Sequence, residues 1–493
     1  MNQYLILAVA LVGYVLYKYH IYPLYLSPLR KIPGPPVSNF ILGHYATFLK
    51  NGLGYALAHL AKQYGGIVRF HGLFNKPYIL IADSKLAQKI LVNHPYDYLR
   101  SFVNENVARE TFGEGILLAN GDTHKRQRKM MNPSFSFVNI KEMVPTFVQA
   151  GHKLKDIWME QIGNKKEERI TITVLIPNIT LDIIGLVGFN YEFNSTTSDS
   201  ELAHAYHALI DRSPSPLVDA FLAHIPFIMK IPNEMTNRFF DSIKIINKIS
   251  EKLVIEQKNA PIQGKDLLSL LVKSNEKLPA DEQLTHNELV SQVMTLLIAG
   301  HETTSTALSW ALHYLAKHPD AQDRLRKELV GVFIDRDHVP TYDEIDHLKY
   351  LDCVLKETLR VSSPVPALIR YNLKDETMNG YLVPKNTPLI ISNYAVHHDP
   401  LIWGDDVDYF NPSRWLDSEI KSKTSNLNFF PFGAGPTTCL GMKMAQLEFK
   451  SILSIIIRNF EFKLVEGFTF ESKALVVIRP DPGIDLLVSK VDY

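Results

Sequence analysis

The sequence predicts one large domain, mainly α with small β-sheets, carried behind an apolar N-terminal segment. Three observations carry that expectation. Helical periodicity dominates from Ser84 to about Arg360, whereas strand-like runs are short and scattered, at Ile67–Phe70, Tyr78–Ala82, Leu389–Ser392 and Ala474–Ile478. No linker, internal repeat or low-complexity tract follows residue 40, and the polar stretches at 259–285 and 415–428 are of loop size. The length, 493 residues at 46% hydrophobic content, would suit two to four ordinary domains but equally fills one large core.

Charge and cysteine content exclude whole classes of function. Lys+Arg and Asp+Glu balance at 52 each with no long basic run, so nucleic acid is not the partner, because phosphate binding needs clustered cations. The only cysteines, Cys353 and Cys439, are too few for a disulfide framework and suit a reducing compartment.

From Tyr4 to Tyr17 the chain reads YLILAVALVGYVLY without a charge, about 21 Å of helix, and reaches about 28 Å if continued to Tyr22. Lys18 and His20 can snorkel there, and Tyr17, Tyr19 and Tyr22 suit an interface. No basic residue precedes the run and no small-residue cleavage site follows it, so it reads as a single transmembrane anchor rather than a signal peptide. Lys18, Arg30 and Lys31 follow the run and place the remainder in the cytosol by the positive-inside rule, leaving the sequons at Asn178 and Asn194 unused. The expected organisation is anchor and flank over 1–30, a proline-rich hinge over 31–40 around Pro33-Gly34-Pro35-Pro36, and the catalytic domain over 41–493.

One helix stands out. Thr285 with Glu288 forms a capping-box start, and nothing breaks the pattern before His318-Pro319, so about 33 residues span about 50 Å. Its middle, Val293 to Gly300, is apolar all round, which marks a core helix. His301-Glu302-Thr303-Thr304 then places four polar groups at depth, where they must pair with one another or face a cavity.

The strongest local signal is Phe432-Gly433-Ala434-Gly435-Pro436-Thr437-Thr438-Cys439-Leu440-Gly441, at the start of a helical pattern from Met442. A cysteine so placed receives backbone N–H groups that lower its pKa, as a nucleophile or metal ligand needs, although a buried structural cysteine is the plainer alternative. Other motifs fail. Gly433-x-Gly435 lacks the third glycine and leading strand of a dinucleotide loop, Ser305 replaces the second histidine of a zinc-protease helix, and no G-x-S-x-G elbow exists.

The run Phe432 to Gly441 resembles the F-x-x-G-x-[RH]-x-C-x-G signature of the cytochrome P450 haem-thiolate superfamily. Three more segments follow that family's order: Ala299-Gly300-His301-Glu302-Thr303-Thr304, Glu357-Thr358-Leu359-Arg360, and Phe410-Asn411-Pro412-Ser413-Arg414-Trp415. With the anchor and Pro33–Pro36, the chain is similar to the microsomal eukaryotic type along essentially its whole length.

The resemblance implies the cytochrome P450 fold around haem b, with Cys439 as axial ligand to iron and Phe432, Gly435 and Gly441 shaping the haem-binding loop. It implies Glu302 and Thr303 as the acid and alcohol that relay protons into a dry pocket, helped by the small Ala299 and Gly300 beside the haem. Glu357, Arg360 and Arg414 are expected to form a structural ion network, since Glu357 and Arg360 lie one turn apart. Cys353 matches nothing and reads as structural.

Two positions depart from the family. Thr437 stands at the usual Arg or His two residues before the cysteine, and His124 where Trp is common, leaving His124, Arg128 and Arg370 as expected propionate partners, with Thr437 bonding weakly or through water.

The resemblance also implies O2, a lipophilic substrate, and electrons from NADPH–cytochrome P450 reductase, since the chain has no flavin or nicotinamide fingerprint. Lys125, Arg126 and Lys129 form either a docking patch for that reductase or a solvated face. Val293, Leu296, Leu297, Ala299, Val365, Ala367 and Leu368 are the expected pocket lining, and the apolar segment Pro214–Pro232 either dips into the bilayer or joins the core. The expected activity is insertion of one oxygen atom of O2 into the substrate, at the endoplasmic reticulum membrane with one span and a cytosolic catalytic domain. The alternatives are a haem-thiolate isomerase or dehydratase of a lipid peroxide, or a non-catalytic gas or lipid sensor.

Overall fold

The computed structural model describes residues 2–37, 39–102, 105–196, 200–210, 231–260, 264–333, 335–424, 427–474 and 477–491. Most of Pro214–Pro232 therefore lies outside the described residues.

The apolar N-terminal run forms helix α1 (Asn2–Leu16), which continues as a wider-pitched helix over Tyr17–Leu26 containing Pro23. The side chains of residues 3–16 are all exposed, and the helical stretch Gln3–Lys31 has the length and mean hydropathy, 1.5, to cross a membrane. The chain leaving it is tied down by main-chain bonds. Asn75 Nδ2 donates to the carbonyls of Tyr19 and Phe40, both at 3.0 Å, Arg69 N donates to Pro33 O at 2.8 Å, and His44 Nε2 lies 3.0 Å from Pro36 O. At Gly34 a Cβ would sit 1.9 Å from Arg69 O, so only glycine lets residues 33–36 run against that strand.

Ten strands matter for the site. They are β1 (Ile67–His71), β2 (Pro77–Ile81), β3 (Tyr98–Ser101), β4 (Glu168–Thr171), β5 (Leu368–Asn372), β6 (Pro388–Ile391), β7 (Phe460–Leu464), β8 (Glu471–Ala474), β9 (Ile478–Asp481) and β10 (Asp485–Lys490). The main sheet has the order β1-β2-β6-β5-β3, with β2 and β6 parallel and the other neighbours antiparallel. A three-stranded sheet orders β4-β10-β7, and β8 pairs with β9 as a ribbon. Three of the four expected strands stand where the alternation placed them. Of the fourth, Ala474–Ile478, the end residues Ala474 and Ile478 belong to β8 and β9, and residues 475–476 lie outside the described residues.

The rest is helical: α2 (Leu53–Tyr64), α3 (Gly121–Met131), α4 (Phe137–Ile162), α5 (Ile172–Phe189), α6 (Glu201–Ile210), α7 (Glu234–Lys258), α8 (His286–Lys317), α9 (Lys349–Val361), α10 (Asn393–His397) and α11 (Met442–Asn459). Helix α8, 32 residues long, begins at the expected capping box: Glu288 N donates to Thr285 Oγ1 at 3.2 Å and Thr285 N to the Glu288 carboxylate at 2.9 Å. It packs along α5, the other span-length apolar helix, which is 67% buried and so belongs to the core. Gly300 of α8 meets Ile184 of α5, where an added Cβ would come within 2.9 Å of its side chain. That glycine therefore serves helix packing. The stretch 259–285 is more than a loop, since it contains the helix Leu267–Glu276.

Candidate functional site

The cysteine loop is shaped by its own main chain. Gly433 N donates to Phe430 O at 3.0 Å and Cys439 N to Phe432 O at 2.8 Å, closing a bulged turn in which Gly433 and Gly435 take φ values of 74° and 68°. Gly435 has a second constraint, because a Cβ there would lie 2.1 Å from Leu91 O. Behind the loop, Gly441 leads into α11.

Cys439 is accessible, yet desolvation is the largest influence on its thiol, which places it on an interior surface rather than the outer one. That desolvation pushes the thiol pKa up, against lowering by the Gly441 N–H and by Arg128. The helix start alone therefore does not make the thiolate expected from its position. A cation at the sulfur would do so, as metal coordination deprotonates a thiol outright. Cys353 differs: it is buried in α9, and burial holds its pKa up at about 11, consistent with a packing role.

Around the loop stand basic groups from four places in the sequence. Arg128 on α3 donates from Nη1 to Thr438 O, and Arg370 on β5 donates from Nη2 to Thr437 Oγ1 at 3.3 Å. His124 on α3 has Nδ1 3.2 Å from Tyr96 Oη, while its Nε2 is buried without a partner. Arg100 on β3 faces Arg370 across the strand pair and donates from Nη2 to the carbonyls of Ile116 and Ala119. Desolvation lowers the pKa of all four, His124 to about 4, Arg370 to about 9 and Arg100 to about 10, and each of these three is lowered further by neighbouring arginines. Among the described residues, no carboxylate pairs with any of the three arginines.

Three desolvated arginines and an imidazole with its Nε2 unpartnered, beside an interior-facing thiol, suit a ligand with anionic edges and a central cation. The two propionates and iron of haem b fit that donor set. His124, Arg128 and Arg370 come together as expected, whereas Arg100 escaped the sequence reading, because nothing local distinguishes it from any strand arginine. Thr437, at the family's cationic position, holds the Arg370 guanidinium.

Helix α8 supplies an opening in the core. Leu296 and Thr303 are half-buried and Ala299 is exposed, while Leu297, His301, Glu302 and Thr304 are buried. Positions i, i+3 and i+7 share one helical face, so a stripe of an otherwise buried helix faces open interior space. Of the expected lining, Leu296, Ala299, Val365, Ala367 and Leu368 keep accessible surface, and Leu368 packs near Gly433. Val293 and Leu297 do not, both being wholly buried.

Of the polar groups of α8, His301 and Glu302 stay together, with His301 Nε2 4.0 Å from Glu302 Oε2, whereas Thr303 bonds its own helix. Thr303 Oγ1 donates to Ala299 O at 2.9 Å on the open stripe. His301 packs its ring on Tyr206 of α6 at 5.0 Å. Glu302 Oε1 lies 3.5 Å from Arg479 Nη1 of β9, so the acid is tied to the β8–β9 ribbon.

The ion network is complete. Glu357, Arg360 and Arg414 are 0%, 0% and 6% exposed. Glu357 accepts from Arg360 Nε and Nη2 at 2.9 Å, Asn411 N at 2.9 Å, Trp415 Nε1 at 2.9 Å and Arg414 Nε at 3.3 Å. Arg414 adds Asp406 at 2.8 Å. The expected basic patch is neutralised: Lys125 pairs with Asp122 at 2.8 Å, Lys129 with Glu282 at 2.9 Å, and Arg126 with Glu288.

Comparison with known proteins agrees with this geometry. The family model described as Cytochrome P450 matches residues 33–488. "Cytochrome P450 monooxygenase 205" of Postia placenta is 30% identical over 92% of this chain and 90% of its own. "Cytochrome P450 monooxygenase 91" of the same fungus is 32% identical over 89% of each. "Cytochrome P450 monooxygenase sphH" of Aspergillus fumigatus is 29% identical over 95% of this chain and 90% of its own.

Proposed function

The chain belongs to the cytochrome P450 family, a haem b monooxygenase family, and from that premise we propose that Cys439 is the axial ligand of a monooxygenase acting on a lipophilic substrate. Bound haem supplies activation of O2, and a thiolate ligand favours O–O cleavage. The observation that carries the reading is the interior-facing, desolvated Cys439 beside three arginines that no described carboxylate neutralises.

Each chain residue has a task. Cys439 Sγ would hold the haem iron. Arg100, Arg128 and Arg370 would receive the propionates, and neutral His124, accepting from Tyr96 at Nδ1, would donate from Nε2. Leu296, Ala299 and Leu368 exclude water and contact apolar substrate. Thr303 Oγ1 holds a proton on the open stripe, with the Glu302 carboxyl as the acid behind it. Electrons come from a membrane-bound NADPH–cytochrome P450 reductase, and α1 anchors the chain in the endoplasmic reticulum membrane. A chain lacking residues 2–16 is expected in the fraction that alkaline carbonate releases from membranes; its retention there would overturn the spanning role.

The test of the ligand assignment is the spectrum of the reduced protein with carbon monoxide. The wild type is expected to give the shifted band of a thiolate-ligated haem, and Cys439→Ala to lose it. A Cys439→Ala protein that keeps that band sinks the proposal.

A further inference from the structure

Between the Glu357 network and the cysteine loop lies one side chain that neither needs for its own pairing. Arg360 Nη1 donates to His397 O at 3.0 Å, so the last residue of α10 is fastened to the ion network. The ring of His397, wholly buried, lies against Phe429 at 5.1 Å and Phe430 at 5.7 Å between centroids. Its Nε2 accepts from Phe430 N at 3.1 Å. From Phe430 the bonding continues through Gly433 N to Phe430 O and Cys439 N to Phe432 O, ending on the cysteine itself.

We infer that His397 is a positioning residue for the Cys439 ligand, and that its Nε2 acceptor, rather than its bulk, sets the loop that presents the sulfur. The chemistry requires one tautomer: Nε2 accepts only if the proton sits on Nδ1, and a doubly protonated ring could not accept at all. The surroundings keep the ring neutral, and the Phe430 N–H aimed at Nε2 selects the tautomer. Burial, with His398 and Arg360 nearby, drives the imidazole pKa well below its ordinary value. A buried main-chain N–H at Phe430 without its acceptor would be stranded, because the ring fills the space water would need.

The inference rests on Cys439 being the axial ligand, and three substitutions test it. His397→Phe keeps an aromatic ring between Phe429 and Phe430 but removes the acceptor. His397→Gln returns an acceptor at the reach of Nε2, and His397→Asn only at the reach of Nδ1. The readouts are haem content and the rate at which the reduced carbon monoxide form loses its thiolate band. The Phe and Asn variants are expected to lose that band about tenfold faster than wild type, the factor one hydrogen bond contributes, while Gln stays close to wild type. A Phe variant with the wild-type rate, or Gln and Asn variants that behave alike, overturns the inference. Should His397→Phe fail to fold, the Gln and Asn pair decides the matter. A wild type that never shows the thiolate band overturns the Cys439 assignment instead, so the two failures are distinguishable.

Discussion

Arg100 and Arg370 stand directly opposite each other, as Cα partners across the antiparallel β3–β5 pair. Like charges at that position repel, by about 0.2–1 kcal/mol in ordinary sheets, and here desolvation weakens both guanidiniums as well. An anion placed against the pair would relieve that cost.

That arrangement predicts effects of opposite sign for Arg370→Met. The haem-free protein is expected to melt at the same or a slightly higher temperature, because repulsion is relieved and only the bonds to Thr437 Oγ1 and Ile369 O are lost. Haem dissociation is expected to quicken about 10- to 100-fold, from a lost charge-assisted bond of about 1.5–3 kcal/mol. Transfer of haem to an apo-globin acceptor measures the second effect, and an unchanged rate removes Arg370 from the propionate site.

Glu357→Ala is expected to abolish soluble, haem-loaded protein rather than to slow turnover. It would leave buried Arg360 without its carboxylate, Arg414 with Asp406 alone and the Trp415 indole unpaired, a loss of about 3–5 kcal/mol or more against a stability of similar order. Recovery of Glu357→Ala with normal haem content and melting temperature would contradict this.

Thr303→Ala is expected to uncouple electron use from product. Its hydroxyl lies on the open stripe and bonds only its own helix at Ala299 O, so the fold should tolerate the change. The ratio of product formed to NADPH consumed should fall several-fold while hydrogen peroxide rises. A ratio equal to wild type would exclude Thr303 from proton delivery.

Stability should fall on acidification across a defined window. Burial lowers His124, His313 and His398 to about 4 and His71 to about 3, whereas an unfolded histidine titrates near about 6.5. The folded pKa lies below the unfolded one, so between them the unfolded chain binds more protons and stability rises with pH. The full contribution is present above about pH 6.5 and disappears as pH falls toward 4. Near pH 5, unfolding should take up close to one proton at each of these four sites, read from the pH dependence of the urea midpoint; a flat midpoint from pH 7 to 5 would refute it.

Much of this protein was legible locally. The capping box at Thr285 and Glu288 placed the start of α8 to the residue, and the order of four motifs placed Cys439, Glu357, Arg360 and Arg414 where one site and its supporting network could use them. Caps act within one helical turn and glycine loops within a few residues, so short spacing carries them. Arg100 shows the limit of that information. A strand arginine reads the same whether it faces solvent or a second arginine, and only the pairing of β3 with β5 distinguishes them.

The sequence by itself determined the resemblance to the family, and with it the haem cofactor the family uses, and the central helix, because the motifs and the helix cap rest on residue type and short spacing. Only the tertiary structure decided that Arg100 meets Arg370, that Arg479 takes Glu302, that Lys125, Arg126 and Lys129 are already paired, and that His397 joins the ion network to the cysteine loop. Most of those partners are separated by long stretches of chain. Register and packing bring them together, and desolvation then sets their charge, and neither is written into any local pattern.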